Sequence, residues 1–357
     1  MVNAGSAAPD MPPVEGQGPI DWGIAAATAQ RFMGAGPAIP REEAGEAVRR
    51  MREQTVEAER HVRDLTGLGH GLPVLPGDVV DRVGWVRAAT AGLAALTDHA
   101  LPRSSPGLRG SVLARTAGVQ AGMVLAYLGG RVLGQYDPFG GDGPDGRLLV
   151  VAPNVVATQR ALRVPADDFA LWVCLHESTH RLQFTAVPWL RDYFAAQVGE
   201  LLSIMDESTA KVLTRLADAL KAARNDKDNK DSVGLLELLQ SPEQRVVLDR
   251  LIALSTLLEG HAEHVMDAVG PSVVPSVGTI RARFSVRRGP RGNVDRLLRA
   301  LLGVDAKVRQ YAQGSAFVDH VVGAVGMERF NTVWTSPETL PTRAEIGDPV
   351  LWLDRVA

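Results

Sequence analysis

Leu171-Trp172-Val173-Cys174-Leu175-His176-Glu177-Ser178-Thr179-His180 decides how the rest of the chain is read. Five apolar residues run straight into a histidine, the pattern of a helix entering a core. On a helix, residues four apart share a face, so His176 and His180 can turn imidazole nitrogens toward one point. Glu177 lies about 100° round the helix, beside that point rather than on it. Two neutral imidazoles, a carboxylate placed to accept a proton and an open coordination position are what metal-assisted hydrolysis requires, and zinc is the ion that suits them. Shuffling a chain of this composition, which has 8 His, would give the His-Glu-x-x-His pattern about 0.008 times, too rarely to read it as accident. The competing reading, a core helix with two hydrogen-bonded histidines, would bury polar groups at a cost in stability and with no function to offset it.

Two histidines leave such a site incomplete, because three protein ligands usually accompany the open position. Leu257-Leu258-Glu259-Gly260-His261-Ala262-Glu263-His264 offers four candidates in a helical run that begins near Glu243. Leu251, Leu254, Leu258, Ala262, Val265 and Val269 form its apolar stripe. Glu259 and Glu263 share a face flanking that stripe, whereas His261 points about 200° away from Glu259. Glu259 is therefore the expected ligand and Glu263 the expected hydrogen-bond acceptor for a ligating imidazole. Helix geometry alone leaves His261 and His264 open as alternative ligands. Gly260 would allow another backbone to approach closely.

Composition sets the bounds. The 357 residues are 45% hydrophobic and 22% charged with a net charge of −3, which fits a globular chain with a large core and gives no reason to expect a nucleic-acid partner. Arginine outnumbers lysine 33 to 5, which reads as coding bias rather than function. The single cysteine, Cys174, excludes an intramolecular disulfide and a cysteine-based zinc cluster, and its apolar neighbours make it a core residue. No basic segment followed by an apolar one opens the chain, and no uncharged apolar run reaches ~18 residues, so a cytoplasmic protein with no membrane span is expected. Oligomeric state is not legible.

In chain order, residues 1–18 read as a flexible tail, residues 19–146 as a helical part and residues 147–357 as the part carrying the site, the two packed as one unit. Helices are expected from Asp21 to Met33, from Pro40 to Gly67, from an Asp78 cap to Asp98, and from Ser111 to Leu133, the last apolar on all sides and so central. Tyr136 to Gly146 reads as a long turn and Arg147 to Asn154 as a β run. Asp137, Asp142 and Asp145 there are explained by turn formation without calcium. The metal helix is expected over 166–184 and another helix over 190–223. Asp226, Asp228 and Glu237 match part of a calcium-binding loop, but Lys230 and Asp231 stand where a ligand and a turn glycine are required. Arg281, Arg283, Arg287, Arg288 and Arg291 read as a solvated basic cluster. Residues 293–325 read as helical, with Tyr311 and His320 as candidate oxyanion stabilisers, and 335–349 as an irregular tail wrapping the helices.

The two motifs together resemble the glutamate-type zincins, in which a downstream helix carries Glu-x-x-x-Asp/Glu. More closely, the chain resembles a bacterial family of zincin-like metallopeptidases of unestablished substrate. That likeness extends over Asp21-Trp22-Gly23, Gly134-Gln135-Tyr136-Asp137-Pro138-Phe139, Val187-Pro188-Trp189-Leu190-Arg191 and Val333-Trp334-Thr335-Ser336-Pro337-Glu338-Thr339-Leu340-Pro341-Thr342-Arg343. The resemblance implies His176, His180 and Glu259 as zinc ligands and Glu177 as catalytic base. Two features depart from it: Arg181 follows the second histidine where zincins generally carry an uncharged residue, and Glu259 lies 79 positions beyond His180, much farther than in thermolysin-like enzymes. The metzincin pattern fails, since Gln183 and Ala186 stand where its glycine and third histidine belong.

The expectation is a mainly α-helical protein with a small β-sheet and a zincin-like fold. It would hydrolyse a peptide or related amide bond with Zn2+ and Glu177. The rival class is a non-catalytic scaffold or binding protein stabilised by zinc, for which an intact Glu177 has no use.

Overall fold

The computed structural model describes residues 19–100, 108–141, 143, 145–206, 242–287 and 304–356. Helix α1 (Trp22–Phe32) is capped by the Asp21 carboxylate, which accepts the Ile24 amide hydrogen at 2.9 Å. Helix α2 (Arg41–Thr66) starts with Glu42 and Glu43 at its electropositive end and stops where Gly67 turns left-handed at φ 71°. Strand β1 (Asp78–Val80) comes next, where a helix cap was expected. Its three residues carry no periodicity, and only pairing with a strand some seventy residues on makes them extended. The helix cap is Asp81, which accepts the Gly84 amide hydrogen at 2.7 Å at the start of α3 (Arg82–Ala100).

Helix α4 (Leu108–Gly129) is peripheral, not central. Val112, Leu113, Val119 and Met123 are exposed, and its other face meets α1 so closely that a Cβ on Gly122 would lie 2.6 Å from the Ala25 carbonyl oxygen. Its segment Val112–Gly129 has a mean hydropathy of 1.2 over 18 residues, with Arg115 inside it. Strand β2 (Gly134–Asp137) replaces the start of the expected long turn, and β3 (Arg147–Val151) ends sooner than expected because Ala152 and Pro153 open α5 (Ala152–Leu162). Asp137 does build a turn, its Oδ1 accepting the Phe139 amide hydrogen at 3.0 Å.

The sheet order is β1-β3-β2, with β1 parallel and β2 antiparallel to β3, so β2 is an edge. The alternation of β3 serves two cores. Leu149 and Val151 pack with Trp22, Trp85 and Leu125 of the first helices, while Leu148 and Val150 face the larger cluster around Phe169, Leu175 and Leu257. That cluster surrounds α6 (Ala166–Thr185), buried on nearly all sides between α2 and α8 (Pro242–Ala268). Helix α7 (Leu190–Asp206) precedes α8; the calcium-loop comparison at Asp226, Asp228 and Glu237 and the helix beyond 206 lie outside the described residues.

Gly270, at φ 67°, ends the run of α8. Helix α9 (Val277–Arg287) follows and carries Arg281 and Arg283, which are not in a solvated loop. Arg281 pairs with Glu263 and Asp267 and lies over the Trp172 ring, while Arg283 donates to the carbonyls of Leu162 and Arg163. Arg288 and Arg291 lie outside the described residues. Helix α10 (Val304–Phe330), broken at Gly326, crosses α8 with Gly314 against Gly260, backbone on backbone. The C-terminal segment is ordered into 3-10 turns at Asn331–Trp334 and Pro337–Thr339 and helices α11 (Arg343–Gly347) and α12 (Pro349–Val356), with Trp352 fully buried.

Candidate metal centre

Helix α6 begins with Asp167 and Asp168 at its electropositive end and presents apolar residues all round from Phe169 to Leu175, which places it inside the core rather than on it. Its next turn brings the two imidazoles to α8. His176 Nε2 and His180 Nε2 face one another at 3.1 Å, and Glu259 Oε2 lies 3.4 Å from the first and 3.8 Å from the second. These three atoms form one group of potential metal ligands. A tetrahedral ion with bonds of roughly 2.0–2.1 Å has ligand atoms about 3.3–3.4 Å apart, a value the three separations bracket. The three side chains are between 15% and 22% exposed, so the centre is largely but not wholly enclosed.

The outer nitrogens explain why the inner ones converge. His176 Nδ1 lies 3.2 Å from the Met266 sulfur, and His180 Nδ1 lies 2.9 Å from Gln183 Oε1. Both partners accept hydrogen bonds, so both Nδ1 atoms carry the protons and both Nε2 atoms present lone pairs to the same space. Two lone pairs and a carboxylate around one point attract a cation. The same field acts on His176 itself: burial disfavours its charged form, but the hydrogen bond to Glu259 and the charges of Glu177, Glu259 and Glu263 outweigh burial and raise its proton affinity. Nitrogen and oxygen donors in this number fit zinc.

Glu177 is buried beside the cluster, and edge strand β2 runs against it. A Cβ on Gly134 would lie 2.5 Å from Glu177 Cγ and 2.8 Å from its Cδ and Oε1, so the missing side chain makes room for that carboxylate. Glu263 is also buried, held by Arg281, with its charge felt at His176.

The remaining histidines of α8 go elsewhere. His261 is fully buried, its ring centroid 5.4 Å from Phe330 and 5.6 Å from Trp334, and burial with the fields of His264 and His180 pushes its pKa down to about 3. His264 Nδ1 meets Asp319 Oδ1 at 2.6 Å. His320 is exposed on α10, and the Tyr311 side chain lies outside the described residues. Cys174 is fully buried, as expected, and burial pushes its thiol up, above the range where a thiolate forms.

Gln183, Met266 and Gly134 escaped the sequence reading. Gln183 left one signal: it follows His180 by three positions, the spacing at which helix side chains meet.

A buried helix carrying His-Glu-x-x-His, with a carboxylate delivered to it from a second helix, presents a group of side chains that could hold a metal ion. The chain belongs to the zincin-like metallopeptidase family, whose model matches residues 20–353. It is also similar to a solved structure from Chloroflexus aurantiacus described as a "putative hydrolase with a novel fold", at 32% identity, with a TM-score of 0.65, over 94% of this chain and 98% of that one. No curated protein matches.

Proposed function

We propose that the protein is a zinc-dependent hydrolase of peptide or related amide bonds, of the glutamate type, acting at a cytoplasmic location. The observation that carries this reading is the convergence of His176 Nε2, His180 Nε2 and Glu259 Oε2 beside the buried Glu177 carboxylate. These three residues would hold the ion. Zinc held there would supply Lewis acidity and the means to lower the pKa of a water to about 7. Glu177 accepts the proton of the attacking water and returns it to the leaving amine. Gly134 leaves room for that carboxylate, and the charge of Glu263, held by Arg281, acts on His176.

The test is metal analysis of the purified chain followed by incubation with a peptide library, with and without chelator. Chelator-sensitive cleavage that Glu177→Gln abolishes while zinc content stays intact is the expected result. Zinc-dependent melting without any cleavage would assign the centre to a scaffold instead. Absence of both would remove the metal from the account altogether.

A further inference from the structure

We infer that Gln183 and His261 form a positioning pair that fixes the tautomer of His180 and the spacing of the two helices carrying the metal ligands. The inference rests on the reading of His180 as a metal ligand. Gln183 is fully buried, and each end of its amide has a partner: Oε1 lies 2.9 Å from His180 Nδ1, while Nε2 lies 3.0 Å from the Leu258 carbonyl oxygen and 3.1 Å from His261 Nδ1.

The orientation of that amide follows from chemistry. The Leu258 carbonyl only accepts, so the end facing it must be the NH2 group, and the other end, at His180, must be the oxygen. An oxygen at His180 Nδ1 requires a proton there, which leaves the Nε2 lone pair turned to His176 and Glu259. The second amide hydrogen requires His261 Nδ1 to accept, so His261 carries its proton on Nε2. That atom has no hydrogen-bond partner among the described residues and sits in the aromatic pocket of Phe330 and Trp334. A neutral imidazole, fully buried in this one tautomer, therefore locks the amide, and the amide locks the ligand.

The same bonds brace the backbone. Gln183 belongs to α6, as do both histidine ligands, whereas Leu258 and His261 flank Glu259 on α8. Two hydrogen bonds from one side chain thus fix the distance across which Glu259 must reach. Partners of this kind typically change metal affinity by 10–100-fold when lost.

Zinc(II) affinity, measured by competition with a chromogenic chelator, and the visible spectrum of the cobalt(II)-loaded protein read the pair without reference to turnover. Gln183→Met should weaken zinc binding about 10–100-fold and alter the cobalt spectrum. His261→Phe leaves the His180 and Leu258 bonds in place and should weaken binding less. If Gln183→Met fails to fold, His261→Phe still decides, through any loss of affinity against unchanged binding. Variants that melt lower without metal yet bind zinc and cobalt as the wild type does would overturn the inference and leave the pair a packing feature. Failure of the wild type itself to bind zinc would instead defeat the metal reading on which the pair depends.

Discussion

Helix α6 meets α2 on one side and α8 on the other, and buried polar groups lie in both contacts, yet the two contacts are resolved in opposite ways. Toward α2, Glu59 is 1% exposed and bound by two arginines: Arg63 Nε reaches Oε1 at 3.1 Å and Arg181 Nη1 reaches Oε2 at 2.8 Å. The guanidinium hydrogens left over go to carbonyls of the following loop, from Arg63 to Gly69, Leu72 and Pro73 and from Arg181 to Leu75 and Pro76. One carboxylate serves two guanidinium groups, and backbone carbonyls accept their remaining hydrogen bonds. Toward α8, two imidazole nitrogens and a carboxylate oxygen meet within 3.8 Å of one another, all three being atoms that can ligate a metal. The first contact joins the helices through groups of the protein; the second gathers donors suited to an ion.

The largest effect should follow from unbalancing the α2 side. Glu59→Ala leaves two buried guanidinium groups without their counter-charge and should cost about 3–5 kcal/mol in chemical denaturation. A loss below ~1 kcal/mol would mean that water enters the contact and the distinction between the two sides is one of degree.

Next comes the metal. Zinc at about a hundred times its dissociation constant should stabilise the wild type by about 2.7 kcal/mol. His180→Ala and Glu259→Ala should abolish that gain, read as a zinc-dependent melting shift. An undiminished shift in Glu259→Ala would remove α8 from the ligand set. Smaller in reach is Gly134→Ala, whose new Cβ would meet the Glu177 side chain first; turnover should fall roughly 10–100-fold with zinc affinity retained.

This contrast also explains what could be read in the chain. That His176 and His180 share one helix face, and that Glu259 flanks the apolar stripe of another, is legible because helical periodicity assigns faces within a few residues. Arg181 looked like a departure from the zincin pattern because its partner Glu59 lies 122 residues away, on a helix whose neighbour no local pattern names. In the sequence Gln183 stands out only as a non-glycine at the metzincin glycine position; its bond to the Leu258 carbonyl exists only once α6 meets α8. Local pattern suggests a helix cap at strand β1 and a central position for α4, because three-residue pairing and the partner of an apolar face are both decided by tertiary contact. Gly134 needs the sheet edge laid over α6 before its missing Cβ has meaning.

Acidity should separate the two sides by the sign of a small effect. The pKa of His176 in the fold lies above its ordinary 6.5, so in the metal-free protein its protonated form contributes stability that is complete below pH 6.5 and is lost as pH rises through the raised value. Zinc requires the deprotonated ring, so its stabilisation grows over that same interval. Melting temperatures of metal-free and zinc-loaded protein should therefore draw apart as pH increases from about 5 to 8. Glu59→Ala should lower both curves while preserving their divergence, because its network holds no imidazole. His176→Ala should make them coincide. Divergence that survives His176→Ala would place the proton competing with zinc on another residue.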